Sequence, residues 1–230
     1  MTGLGFTVHA LEASASDIHA RHRSAPLERQ VWLCNTTADA LILGSAQKLN
    51  RGHQHFVARH GFELARRSSG GTGVVVVRGG AVWIDIGLPA GDPLLVDDVS
   101  RSFAPVSRAW ADALDLIGVH DIETYSGHMF KGGELSEVCF AGRASGEILF
   151  DGRKLVGMSQ RRSAHGAWFH TMAYLAFPAA LSAEALLPGL DGGADRLAAS
   201  VADLPAAGAR CGADCAGILA GSIAASLSAL

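Results

Sequence analysis

Lysine and tyrosine are scarce in this sequence, and no run of like charges occurs. Only three of the 19 basic residues are lysines, and they stand at Lys48, Lys131 and Lys154. The formal net charge at pH 7 is −3 with histidine counted as neutral. A chain of this charge has no general attraction to nucleic acid or to anionic lipid, so we expect neither nucleic acid nor membrane as a partner.

Long hydrophobic runs are also missing. No stretch approaches the ~20 uninterrupted apolar residues that span a bilayer, and residues 1–16 lack a basic cluster followed by an apolar run. These two absences predict a cytoplasmic protein. Without a secretion signal, the few cysteines are expected to be reduced thiols rather than a disulfide framework. They are Cys34, Cys139, Cys211 and Cys215.

The pattern of apolar residues indicates an α+β fold. Strand-like and helix-like segments do not alternate regularly, which favours a mixed or antiparallel central sheet flanked by helices over a doubly wound parallel sheet. Glycine turns at 78–80 and 151–152 predict two hairpins. The predicted strands are 30–35, 40–44, 62–66, 74–78, 81–88, 134–139, 147–150, 155–160 and 167–175, and the predicted helices are 50–60, 97–116, 194–204 and 214–227.

Two glycine-rich motifs about ninety residues apart carry most of the chemical information. The first runs straight into an apolar strand and reads Arg66-Arg67-Ser68-Ser69-Gly70-Gly71-Thr72-Gly73. Glycines allow close backbone approach, and backbone N–H groups with a nearby cation bind an anion or a carbonyl oxygen. On its own, the motif fits a surface loop with solvated charges better than a binding site.

The second motif contains the last of the three lysines and reads Gly152-Arg153-Lys154-Leu155-Val156-Gly157-Met158-Ser159-Gln160. Because the chain otherwise uses arginine for positive charge, a lysine between Arg153 and Arg161 indicates a need for a compact, rotatable ammonium group. The alternative is an ordinary exposed lysine on a strand.

Taken together, the two motifs resemble those of the biotin/lipoate A/B protein ligase superfamily, which has a fold like that of class II aminoacyl-tRNA synthetases. The resemblance implies that Lys154 contacts the acyl carbonyl and stabilises the oxyanion formed when a target lysine attacks. It also implies one acyl-binding tunnel, lined by Arg66, Arg67, Ser68, Ser69, Gly70, Gly71, Gln47, Gly157, Ser159 and His170. His170 fits a packed or surface histidine equally well, and Ser45 stands where the family often has arginine.

The segment from Cys139 to Glu147 resembles a stretch of the cysteine-dependent octanoyltransferases in this superfamily, in which the cysteine carries the acyl group as a thioester. The proline and tyrosine of that stretch are absent here. A buried, unreactive thiol is the competing interpretation of Cys139. Many ligases also carry a His-Asp pair where this chain has Arg78-Gly79-Gly80.

The resemblance implies attachment of a lipoyl or octanoyl group to a lysine of a lipoyl-carrier domain, either the glycine cleavage H protein or the E2 of a 2-oxoacid dehydrogenase. A ligase would use lipoate or octanoate with ATP and Mg²⁺. An octanoyltransferase would take the acyl group from acyl carrier protein and need no cofactor. A non-catalytic relative that binds acyl or biotin-like ligands is a third alternative.

The sequence also predicts the domain organisation and the absence of a protein-bound metal. Residues 1–181 are expected to form the catalytic domain and residues 182–230 a helical extension packed on it. No protein-bound metal site is predicted, because the nearest histidines in sequence lack the i, i+4 spacing of a helical pair. These histidines are His53, His55 and His60, and the pair Cys211 and Cys215 is interpreted as packing.

Overall fold

The computed structural model describes residues 5–23, 28–210 and 214–230, which fold around two β-sheets. The strands are β1 (Thr7–Ala13), β2 (Gln30–Thr36), β3 (Ala40–Leu43), β4 (Glu63–Arg66), β5 (Val74–Val76), β6 (Ala81–Pro89), β7 (Ile122–Thr124), β8 (Ile148–Phe150), β9 (Arg153–Ser163) and β10 (Gly166–Tyr174). The helices are α1 (Ala15–Ala20), α2 (Arg51–His60), α3 (Ala104–Leu116), α4 (Ala179–Leu186), α5 (Gly193–Ala198) and α6 (Cys215–Ala229).

The larger sheet has seven strands in the order β1-β2-β6-β10-β9-β8-β7, and the smaller has three in the order β4-β3-β5. Strands β1 and β2 are parallel, as are β3 and β4, whereas the remaining pairs are antiparallel. The predicted α+β class with a mixed sheet is therefore confirmed.

Alternation of side chains along the strands builds four layers. On β6, Ile84 and Ile86 face the core formed with α3 and α6, whereas Trp83 points to the small sheet. On β3, Ile42 faces the large sheet and Leu41 faces the outer core formed with α2 and α4. The large sheet thus lies between helices and the small sheet, and the space between the two sheets is where a ligand pocket is possible.

The predicted hairpin between the fifth and sixth strands is wrong. The turn itself is present, because Gly80 N–H donates to the Val77 carbonyl at 2.8 Å. However, β5 pairs with β3 in the small sheet, and β6 pairs with β2 and β10 in the large one. Val74, Val76 and Trp83 share one core, so the two strands pack through side chains rather than through backbone hydrogen bonds.

Two further predictions concern local structure. The predicted strand 134–139 is wrong: short 3₁₀ helices form at Gly133–Leu135 and Cys139–Ala141, and only an isolated bridge joins Val138 to Gly73. The predicted turn at 151–152 is confirmed, since Asp151 and Gly152 have φ of 51° and 66° and connect β8 to β9. Positive φ at both central residues is the geometry of a tight hairpin turn.

The C-terminal residues contribute to both outer layers. Helix α6 packs against α3 and β2, while α4 packs against α2 and α5. Cys34 and Cys139 are free thiols, but Cys215 is disulfide-bonded, so the expectation of reduced thiols is wrong for that residue. Cys211 lies outside the described residues. No helix within the described part of the chain is long and apolar enough to cross a bilayer.

Candidate functional site

A pocket that is partly open to solvent lies between the two sheets. Its apolar wall includes Ile42, Val74, Trp83, Phe140, Met158 and Met172. Its polar groups are Arg67, Cys139, Ser159, His19 and His170. A mostly apolar cavity with a few convergent polar groups suits a ligand that has a hydrocarbon chain and a polar reactive end.

The two sequence motifs meet at Cys139. The Cys139 amide donates to the Gly73 carbonyl at 2.9 Å, which fixes the cysteine beside the glycine-rich loop. Arg67 Nη2 lies 3.3 Å from Cys139 Sγ. Lys154 Nζ donates to the Cys139 carbonyl at 2.9 Å. The glycine loop and the lysine thus flank one half-buried thiol on the pocket wall, as the pairing of the motifs predicts.

The charges around Cys139 change its acidity. Burial by itself raises the pKa of the thiol, but the nearby charges of Arg67 and Lys154 and the hydrogen bond from Arg67 outweigh it, so the pKa is lowered from its usual value. The thiolate is the nucleophilic form of cysteine. Cys34 provides the contrast, since burial keeps the pKa of its thiol well above the usual range.

Arg67 is held in place by its own loop. Its Nη2 also donates to the Thr72 carbonyl at 2.7 Å, so one nitrogen bridges the loop backbone and the Cys139 thiol. Gly71 has φ of 100°, and a Cβ at this position would overlap the Arg67 guanidinium. A Cβ on Gly44 would likewise overlap the Gly71 carbonyl. The glycines are needed here because the backbone must approach both the guanidinium and the neighbouring strand.

Lys154 lies behind Cys139 and forms a buried ion pair. Its Nζ is 2.8 Å from the Glu147 carboxylate, and the side chains of both residues are almost fully buried. Glu147 is itself fixed by the amides of Ala144 and Met158, at 2.7 and 3.2 Å. The ammonium therefore acts on Cys139 through its charge and through the cysteine carbonyl, and Nζ must exchange a partner before it contacts an acyl carbonyl.

Two of the other sequence-predicted residues support the loops rather than the pocket wall. Arg66 Nη1 donates to the carbonyls of Gly44 and Gln47, at 2.8 and 2.7 Å. Gln47 Nε2 donates to the Glu137 carboxylate at 2.7 Å, two residues before the cysteine. Both side chains hold the turn after β3 against the Cys139 segment.

The remaining predicted residues lie around the pocket. Ser69 Oγ and Ser159 Oγ are 2.8 Å apart, which joins the loop to β9. The Ser68 carbonyl accepts from Arg161 at 3.1 Å. Gly157 lets Phe140 pack directly on β9, since a Cβ would lie 2.9 Å from its ring. A Cβ added to Gly70 would meet no atom within 4 Å, so this position has room for a side chain.

A buried polar cluster adjoins the pocket, and sequence reasoning missed most of it. Asp85 is fully buried on β6 and accepts from Trp83, Arg21 and His170, at 2.8, 3.0 and 2.9 Å. Burial alone would raise the pKa of Asp85, but His170 and His22 hold it well below its usual value. The available signals were an aspartate within the apolar strand 81–88 and histidines three residues apart at His19 and His22.

Comparison with known proteins identifies the family and the fold. Residues 10–201 match the family model of the lipoyl protein ligase A/B catalytic domain. A lipoate-protein ligase A bound with ATP superposes with a TM-score of 0.72 at 14% identity, covering 97% of this chain and 86% of that one. No curated protein is similar enough in sequence to count as a match.

Two further solved structures share the fold. A bi-partite lipoate protein ligase from Thermoplasma acidophilum, described with its E2 lipoyl domain, has a TM-score of 0.71 at 14% identity and covers 97% of this chain and 84% of that one. A biotin protein ligase from Leishmania major has a TM-score of 0.52 at 12% identity and covers 96% and 72%. With the match over 10–201, these comparisons show that the chain belongs to the lipoyl protein ligase A/B catalytic domain family.

Proposed function

We propose that this protein transfers a medium-chain acyl group, octanoyl or lipoyl, to a lysine of a lipoyl-carrier domain through a thioester on Cys139. The observation that carries the proposal is the thiol itself. It lies on the wall of an apolar pocket, contacts Arg67, and has a lowered pKa. A free cysteine that served only for packing would have its pKa raised by burial, as that of Cys34 is.

The transfer divides into two steps. In the first, the Cys139 thiolate attacks the carbonyl carbon of a carrier-bound acyl thioester, and the carrier thiolate leaves and takes up a proton. In the second, the ε-amine of the target lysine attacks the Cys139 thioester, loses a proton, and forms an amide as the Cys139 thiolate departs. Arg67 and Lys154 favour the thiolate at the start and at the end of this cycle.

The other predicted residues have supporting roles in this proposal. Ser69, Ser159, Gly157 and His170 shape the pocket for the acyl chain. Lys154 is a positioning residue, which keeps Cys139 in place and lowers its pKa; a direct contact with the acyl carbonyl requires Nζ to leave Glu147 or the Cys139 carbonyl. Arg66 and Gln47 hold the loop that borders the cysteine.

ATP-dependent ligation is the second candidate, and the similar lipoate-protein ligase A bound with ATP favours it. Such a ligase would activate lipoate or octanoate as an adenylate, with Mg²⁺, before transfer. Against it, the turn at Arg78-Gly79-Gly80 lacks the His-Asp pair of many ligases. Both candidates deliver the acyl group to a lipoyl-carrier domain, and the T. acidophilum ligase described with its E2 lipoyl domain supports that class of acceptor.

The proposal is tested by acyl transfer to an apo lipoyl domain. The purified protein is mixed with octanoyl acyl carrier protein and the acceptor domain, without ATP, and the acceptor is weighed by intact mass spectrometry. We expect the acceptor to gain one octanoyl group with the wild-type protein and none with Cys139→Ser. Cys34→Ser is the matched control and should transfer normally.

A parallel mixture contains free lipoate or octanoate, ATP and Mg²⁺ in place of the acyl carrier protein. Acylation only in this mixture, unaffected by Cys139→Ser, would overturn the thioester route and support the ligase. Failure to acylate in both mixtures, with acyl binding retained, would support the non-catalytic relative.

A further inference from the structure

Three buried histidines converge beside the pocket. One ring nitrogen each from His19, His22 and His170 lies within 4.8 Å of the corresponding nitrogens of the other two. The rings of His19 and His22 lie 5.2 and 4.5 Å from that of His170, centroid to centroid. All three residues are less than a tenth exposed. Imidazole nitrogens buried away from bulk water need a hydrogen-bond partner or a bound ion.

The unsatisfied nitrogens of this cluster are specific. His19 Nδ1, His22 Nδ1 and His170 Nε2 are buried and have no hydrogen-bond partner within residues 5–23, 28–210 and 214–230. Buried polar atoms are nearly always paired, so three unpaired nitrogens in one cluster of rings require an explanation. Nothing in the acyl-transfer proposal uses these nitrogens.

Asp85 contacts two of the three rings. His170 Nδ1 lies 2.9 Å from Asp85 Oδ1, and His22 Nε2 lies 3.1 Å from Asp85 Oδ2. An unprotonated His170 Nδ1 would repel the carboxylate, so this nitrogen carries its proton and donates, and His170 Nε2 holds a free lone pair. His22 Nε2 also lies 3.0 Å from the donor Arg21 Nη2, so His22 Nδ1 holds a free lone pair in the tautomer that is protonated at Nε2 and directed at Asp85. Arg21 also donates to Asp85 Oδ2 at 3.0 Å, which keeps the carboxylate in place.

We propose that His19, His22 and His170 form a binding site for a divalent transition-metal ion, of the class of Zn²⁺, with Asp85 orienting two of the ligands. Three neutral imidazoles are a ligand set that zinc accepts when a fourth position is left to water or another molecule. Histidine ligands whose second nitrogen donates to a carboxylate are the usual arrangement around protein-bound zinc.

The dimensions permit such an ion. At the outer limit of 4.8 Å between nitrogens, an ion at their centre would lie about 2.8 Å from each. Inward movement of each ring by less than about 1 Å gives the Zn–N distance of about 2.0–2.1 Å. His19 and His170 also line the acyl pocket, so the fourth position would be reached from the pocket. The metal site is independent of the acyl-transfer proposal and stands if that proposal fails.

The experiment measures metal content and affinity directly. The full-length protein is stripped with a chelator, titrated with Zn²⁺ by calorimetry, and assayed for bound zinc by elemental analysis after gel filtration. We expect about one zinc per chain in the wild-type protein. His19→Gln should raise the Kd more than about 100-fold, because removing a direct ligand costs more than removing an outer-sphere partner. Asp85→Asn should raise the Kd by about 10–100-fold.

The controls separate this site from non-specific binding and from misfolding. His55→Gln changes an exposed histidine of α2 and should leave stoichiometry and Kd unchanged. His19 makes only ring contacts among the described interactions, to Trp83 and to the two other histidines, so His19→Gln should retain the circular dichroism spectrum of the wild type. Co²⁺ in place of Zn²⁺ should give the visible absorption of a four-coordinate site in the wild type alone.

Three results would overturn the proposal. The first is wild-type zinc content near zero after gel filtration. The second is binding of equal affinity in the wild type and in folded His19→Gln and His22→Gln. An octahedral Co²⁺ spectrum that is identical in all variants would have the same consequence, since it would show that the metal is bound elsewhere.

Discussion

At the scale of single residues, the proposed acyl transfer depends on how two cations act on the Cys139 thiol. Arg67 contacts Sγ directly, whereas Lys154 acts from behind through the cysteine carbonyl. Because both are positive, each favours the thiolate over the thiol. The folded-state pKa is therefore below that of an unperturbed cysteine, and the thiolate is lost as the pH falls through that lowered pKa.

Removing the guanidinium should reverse much of this effect. In Arg67→Met, we expect the pH profile of Cys139 alkylation by iodoacetamide to shift to higher pH and the rate at pH 7 to fall several-fold or more. The exposed Arg59 provides the matched control, and Arg59→Met should leave the profile unchanged. An unshifted profile in Arg67→Met would show that Arg67 does not set the acidity of the thiol.

The glycine loop offers a second residue-scale test with an internal control. Gly71→Ala places a methyl group against the Arg67 guanidinium at a φ of 100°, whereas Gly70→Ala meets no atom within 4 Å. We expect Gly71→Ala to lower the free energy of unfolding by about 1–3 kcal/mol and to slow Cys139 alkylation. Gly70→Ala should change neither by much, as measured by urea titration and by alkylation rate. Equal effects of the two substitutions would contradict the geometry of the loop.

The sequence could predict those site residues that belong to one continuous motif. The 66–73 loop and Lys154 belong to contiguous motifs, and Cys139 lies fifteen residues before Lys154. The histidine cluster is different, because His19 and His170 come from an N-terminal helix and a late strand. Only folding brings these two residues together, so the spacing of His19 and His22 could indicate part of the cluster but not its third member, His170.

At the scale of elements, strand β9 contributes residues both to the pocket wall and to a buried ion pair. Lys154 and Glu147 pair across the hairpin of β8 and β9 at 2.8 Å, and both are nearly fully buried. Breaking such a pair from one side leaves a buried charge without a partner, which costs about 3–5 kcal/mol. A loss of activity in Lys154→Ala alone would therefore mix a structural effect with a chemical one.

A double variant separates the two effects. We expect Lys154→Met to lower the free energy of unfolding by about 3–5 kcal/mol, and Lys154→Met with Glu147→Gln to recover much of that loss. If Lys154 positions and acidifies the thiol, the double variant should be folded yet slow in acyl transfer, with a Cys139 alkylation profile shifted to higher pH. Normal transfer by the folded double variant would limit Lys154 to a structural role.

Element prediction succeeded where the pattern was local and failed where pairing depended on the whole fold. Helix α2 begins after Asn50, whose side chain accepts from His53 N–H, and ends at Gly61 with φ of 70°; both signals are visible in the sequence. The pairing of β5 and β6 was predicted wrongly because Gly79-Gly80 forms the same turn whether the next strand pairs with the last or crosses to another sheet. The segment that ends at Cys139 was wrongly predicted as a strand. Its backbone is held by hydrogen bonds with Gly73, which is far away in sequence, so the local pattern could not show its irregular conformation.

At the scale of the whole molecule, two sheets packed face to face create the cavity in which the proposed chemistry would take place. The small sheet carries the glycine loop at its edge, and the large sheet contributes β6, β9 and β10. Solved structures that are 14% identical share this fold. A fold that persists at such low identity depends on the apolar pattern of the strands, while the proposed reaction depends on the few polar residues that the loops bring to the pocket.

The most direct test of the account is the mass of the protein itself after a brief incubation with octanoyl acyl carrier protein, without ATP and without an acceptor. We expect the wild type and Cys34→Ser to gain one octanoyl group, which hydroxylamine removes, and peptide mapping to locate it on Cys139. Cys139→Ser should gain none. A wild-type protein that stays unmodified while it acylates a lipoyl domain at the same concentrations would contradict the thioester on which the account depends.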